Sequence, residues 1–179
     1  MWDPPAEHPL RRLFAGLTEH AFFSHLGVAD PPLTDYLSAL LSRFVHLDAV
    51  HRLPGSDGRP LTELVGMVME AEQMPAGWTQ QEFYRHVGDF ALFWTGVYPE
   101  VLNRTRARGG RDALIDYTVQ GKRGYLLTSR FVADREPAEA NLFRRLSERF
   151  EECAVGLREV RREWEERRPE LPPGTPLIG

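Results

Sequence analysis

Two acid–histidine pairs are the first residues here whose types and spacing suit chemistry. Asp48 and His51 stand three apart, and His86 and Asp89 repeat the spacing in reverse order. Residues three apart share a helical face. A carboxylate and an imidazole from each of two facing helices make four ligands of the kind helical metal proteins use. The di-iron carboxylate pattern needs two Glu-x-x-His pairs, and this chain has none. The plainer reading places Asp48 and His51 near the exposed end of a helix and gives His86 and Asp89 a local structural role.

A basic section is the second candidate. Residues 103–130 hold Arg104, Arg106, Arg108, Arg111, Lys122, Arg123 and Arg130 against Asp112 and Asp116, a local net charge of +5. Tyr117 and Tyr125 lie among them. Arginines interleaved with aromatic rings suit an anionic ligand or a single-stranded nucleic acid. The whole chain carries a net charge of −4, which gives no general pull toward nucleic acid. Lys122 is the only lysine among 22 basic residues, which reads as codon usage more than as a binding adaptation. A third candidate is a small-molecule cavity lined by Tyr84, Trp94, Thr95 and Tyr98, rings with a few polar tips. Aromatic residues at helical spacing more often form plain core. The phosphate-loop, dinucleotide, zinc-protease and nucleophile-elbow motifs are all missing, and one cysteine cannot build a cysteine-type zinc site.

The elements that must position these residues read as helices. In 78–102, Phe83, Val87, Phe90, Trp94, Val97 and Val101 step by four and three, a single helical stripe. Neighbouring rings widen it until the second half is apolar nearly all round, which predicts a buried central helix over 79–98. Thr79 and Glu82 form a T-x-x-E capping box, and Trp78 with Phe83 a hydrophobic staple. Pro99 predicts a break near Tyr98.

Earlier in the chain, one helix is expected from Pro9 to a stop at Gly27. A second starts at Asp30-Pro31 and runs to about Leu53, and a third covers about 61–74. Residues 103–111 read as a basic loop. Residues 112–133 read either as a helix with Leu114, Tyr117 or Thr118, Gly121, Tyr125, Thr128 and Val132 on one face, or as a hairpin turning at GKRG. The helix is preferred, because an isolated hairpin has no sheet to join. A last helix is expected over 137–168, with a narrow stripe from Phe143 to Trp164. Residues 1–8 read as a loose lead-in and 169–179 as an extended proline-rich tail.

GDFALFWTGVYPE at 88–100 and DYTVQGKRGYLLTS at 116–129, with LTDYLSALLSRFV at 33–45, resemble a family of uncharacterised bacterial all-helical proteins. The resemblance implies a helical fold and a bacterial source, and no activity.

The totals bound the rest. A length of 179 residues suits one domain with one core. A single cysteine, Cys153, excludes an internal disulfide and suits a reducing compartment. The N-terminus has no signal-peptide core, and no apolar run reaches the roughly 20 residues of a membrane helix. The expectation is an all-α, single-domain bundle of about six helices in the cytoplasm. It acts without catalysis, through protein interaction or self-association, as a homodimer that uses the last helix, with no membrane or nucleic-acid partner. The alternatives are a metal or small-molecule site near His86 and Asp89, and anion or nucleic-acid binding through the basic segment 103–130, with Tyr98, Tyr117, Lys122, Arg123 and Tyr125 as the further candidate ligand-binding residues. No particular cofactor is implied. Asp89, the one acid in the apolar part of the central helix, needs a partner. Arg85 and His86 lie within reach, and Arg123 from another helix is a better holder.

Overall fold

The computed structural model describes residues 5, 7–44 and 61–167. Most of the lead-in, the second helix beyond Phe44 with Asp48 and His51, the turn at 54–60 and the 169–179 tail lie outside the described residues. Within them the chain is all-helical. The helices are α1 (Pro9–Leu26), α2 (Pro31–Phe44), α3 (Leu64–Gln73), α4 (Trp78–Val97), α5 (Pro99–Arg108), α6 (Tyr117–Val132), α7 (Pro137–Glu148) and α8 (Phe150–Glu166). A 3-10 turn, Arg111–Leu114, precedes α6. No strand occurs among the described residues, so 112–133 is not a hairpin.

Helix α4 is the centre. From Gln81 to Val97 most of its residues are buried, and it packs most extensively on α6, then on α8, α3 and α2. Its start differs from the capping-box expectation. The helix begins at Trp78, with Gly77 before it and no side-chain cap, and Trp78 is 62% exposed, so no staple closes. The neighbouring helix explains the earlier start. Gln80, in the first turn, donates to the Ala71 and Met74 carbonyls at 2.9 and 3.2 Å and satisfies the end of α3. A cap at Thr79 would leave Gln80 barely inside the helix.

The expected break at Pro99 is present, but the chain resumes at once as a helix and not as a basic loop. Proline at the first position, Glu100 in the first turn and Gly109 at φ 72° after the end supply the start and stop of α5. The break deprives Val97 of a normal helical partner. Arg161 of α8 donates to the Val97 carbonyl at 2.7 Å and lays its guanidinium 4.6 Å from the centre of the Tyr98 ring.

The single last helix is also divided, at Arg149. Helix α7 packs mainly on α6, whereas α8 packs on α4 and α1. A one-residue interruption lets both halves keep the same apolar stripe on the core, so the stripe gave no sign of it. With these two divisions the described residues hold eight helices where about six were expected. The stripe itself is covered within the chain. Phe143, Leu146, Phe150, Cys153, Leu157 and Val160 are fully buried, and Trp164 stacks on Phe14 of α1 at 5.4 Å.

Three glycines set the approach of α4 to its partners. A Cβ on Gly88 would lie 2.7 Å from the Tyr125 ring, and one on Gly121 would run into Phe150. One on Gly124 would lie 2.6 Å from the Tyr84 carbonyl oxygen and 2.9 Å from the Gly88 nitrogen. Those last two atoms are main chain and cannot swing aside. Gly124→Ala therefore forces α4 and α6 apart, and we expect a loss of about 1–3 kcal/mol, the usual cost of overpacking. In Gly16→Ala nothing lies within 4 Å, so only the helix propensity gain of up to about 1 kcal/mol acts. Urea midpoints that fail to move in opposite directions for the two variants would refute this account.

Candidate functional site

Asp89 sits at the middle of the helical core, 2% exposed. Its Oδ1 accepts from the Tyr36 hydroxyl at 2.6 Å and from the Tyr125 hydroxyl at 2.9 Å. Its Oδ2 accepts from Arg43 Nη2 at 3.1 Å. Arg85 donates through Nε to the Tyr36 oxygen at 3.3 Å, and both guanidiniums lie against the Tyr36 ring. Four helices meet in this cluster: α2 gives Tyr36 and Arg43, α4 gives Arg85 and Asp89, α6 gives Tyr125, and α7 supplies Phe143 as its wall. Burial, and after it the Asp89 charge, pushes both phenols well above their ordinary range. The arrangement holds a carboxylate in the core by three hydrogen bonds and a buried cation, which is how such a charge is tolerated.

Arg43 therefore takes the place expected of Arg123. Arg123 lies on the outer side of α6 and pairs with Glu72 of α3 at 2.6 Å, because Tyr125 and not Arg123 faces α4. His86 is buried one turn before Asp89, with its ring 5.8 Å from Phe44 and 6.3 Å from Phe90. Asp48 and His51, expected to face it, fall outside the described residues.

The aromatic and basic residues of the 103–130 section are separated. Tyr117 and Tyr125 are buried, while Lys122 and Arg123 point outward to Glu151 and Glu72. Tyr117 donates to Asp112, and Asp112 also accepts from the Leu64 and Val65 amides at 2.8 and 2.9 Å. A carboxylate distant in sequence thus serves as the N-terminal cap of α3, whose own Glu63 makes no cap bond. In the first turns of α4 Tyr84 stacks on Phe131, and at the kink Tyr98 packs on Phe93 and Trp94 beneath Arg161.

A concave feature lies elsewhere, between α1 and α2. Gly27, at φ 66°, ends α1, with the Val28 amide bonded to the Phe22 carbonyl at 2.9 Å. Asp30 then caps α2 through the Leu33 amide. This tight link sets the helices side by side and leaves a groove of about 440 Å³. Ala15, Glu19 and Phe23, each four apart, form one wall, and Thr34, Asp35 and Ser38 the other. Phe23 stands 65% exposed at its edge. Asp35 pairs with Arg11 at 2.8 Å, and Asp30 with Arg145 at 3.0 Å. The groove thus mixes Ala15, Phe23, Val28, Ala29 and Pro31 with three acids, two of which are paired with arginines. The sequence carries one sign of it, an aromatic residue on the polar side of α1, which alone reads as a scattered surface ring.

No helix among the described residues is long and apolar enough to cross a membrane. No family model, no curated protein and no solved structure matches this chain.

Proposed function

We propose that this is a non-enzymatic, cytoplasmic, single-domain protein that works by association, as a homodimer joined through the α1–α2 face. The reading rests on one observation: Phe23, two-thirds exposed, projects from the edge of the groove that it helps to line. A two-fold interface uses the same patch on both subunits, so that patch must be complementary to itself. A face that carries both a projecting ring and a receiving groove meets this requirement. The last helix does not, because its stripe is spent on α1 and α4. Two of the acids offered for chemistry elsewhere are engaged in the fold. Asp89 is held by Tyr36, Tyr125 and Arg43, and Asp112 caps α3.

Sedimentation or light scattering across micromolar concentrations tests the reading. The expected result is a mass that rises from one chain to two, and a Phe23→Ser variant that stays at one chain with an unchanged helical spectrum. A parent that remains a monomer, or a dimer indifferent to Phe23→Ser, would overturn it.

A further inference from the structure

We infer that His20, His25 and Glu163 form a binding site for a divalent transition metal, with Zn²⁺ the ion they suit best. The three residues come from α1 and α8, on the flank of α1 that meets α8 and not on the groove side. Glu163 Oε1 lies 2.9 Å from His20 Nδ1 and 3.3 Å from His25 Nε2. One ligand atom from each residue falls within 4.8 Å of the others, and the two rings stand at 86° to one another. Zinc holds its nitrogen and oxygen ligands at about 2.0–2.2 Å. The edge of such a tetrahedron is therefore roughly 3.3–3.5 Å, near the two histidine–carboxylate spacings already present.

The second observation concerns the carboxylate itself. Glu163 is more than nine-tenths buried, and its Oε2 has no hydrogen-bond partner among the described residues. Arg167 stands 3.7 Å from that oxygen, beyond hydrogen-bonding distance. Hydrogen bonding alone accounts for the arrangement badly. It gathers two imidazoles at one oxygen and leaves the other with no hydrogen bond among the described residues, an expensive condition for a buried carboxylate. A cation between the two rings engages the carboxylate through either or both oxygens and removes the deficit.

The donor set also selects among metals. Two imidazoles and a carboxylate, with no thiolate, match the His₂Glu zinc sites that leave a fourth position to water. Here His20 and His25 side chains are 55% and 37% exposed, so solvent reaches that fourth position and both rings have room to turn onto an ion. Bound metal ties α1 to α8 beside the Phe14–Trp164 stack, across 143 residues of sequence.

The test uses the full chain, stripped with chelator, desalted and titrated with ZnCl₂ by calorimetry, with Co²⁺ as a spectroscopic stand-in. We expect saturable uptake of one ion, tetrahedral Co²⁺ visible bands, and a higher thermal midpoint with zinc present. His20→Ala, His25→Ala and Glu163→Gln should each weaken uptake at least about tenfold, since even outer partners of a metal site are worth that much. Both histidines are substantially exposed, so their variants should keep the helical spectrum of the parent. Absence of saturable uptake, or uptake that both histidine variants leave unchanged, would overturn the assignment.

Discussion

Asp89→Ala is expected to destabilise the protein by about 3–5 kcal/mol, the range for breaking a buried charge pair from one side. The change removes the acceptor for two buried phenols and the anion beside Arg43. Each buried hydroxyl left without an acceptor costs on the order of 1–3 kcal/mol, which places the total in that range before any cavity is counted. Asp89→Asn retains an acceptor and nearly the same shape, so it should lose less. A fourfold change to Tyr36→Phe, Arg43→Met, Asp89→Leu and Tyr125→Phe removes the polar partners together. It should recover part of the loss, because replacing a whole buried polar set with apolar groups can be close to neutral. Urea unfolding of the three proteins beside the parent gives the comparison. If the midpoint of Asp89→Ala matched the parent, the cluster would not be a structural tie, and a ligand role for Asp89 would lead instead.

The sequence revealed that Asp89 needs a partner but not which one. Tyr36 and Arg43 are seven apart on α2, so they share a face, and that face is otherwise apolar. This was a readable sign of a buried polar partner. What could not be read is that α2 and α6 approach α4 at the same level, since that depends on Gly88 and Gly124 meeting across the helices. The central helix and the Gly27 and Asp30 signals were legible because each is a local pattern with a local cause. The T-x-x-E box failed for the opposite reason. Its competitor, Gln80 closing the end of α3, is a contact between helices and has no signature in the box. The division at Arg149 was silent because one residue does not disturb a stripe of threes and fours. Asp112 capping α3, and Glu163 meeting His20 and His25, join residues 48 and 143 positions apart, and no spacing rule connects them.

The second large effect is alkaline. Tyr36 and Tyr125 are raised well above the ordinary tyrosine range, first by burial and then by the Asp89 charge. Tyr117 is raised likewise, by burial and by its bond to Asp112, and burial pushes the Cys153 thiol up to about 12. All four groups hold their protons in the folded chain at pH values where the unfolded chain has released them. Their contribution to stability is complete below the unfolded values and is lost as pH climbs toward the folded ones. The thiol acts first. Between about pH 9 and 10 it alone removes roughly 1.4 kcal/mol per pH unit. Above about pH 10 the three phenols join it, and the combined slope approaches about 5 kcal/mol per unit. Urea midpoints measured from pH 8 to 11 should therefore stay flat at first, bend gently, and then fall steeply. Cys153→Ala should remove the early bend and leave the steep fall, whereas Tyr117→Phe should make the fall shallower by about a quarter. A midpoint that held level through pH 11 would mean that these phenols ionise as readily in the folded chain as in the unfolded one. Their hydroxyls would then not be locked against Asp89 and Asp112.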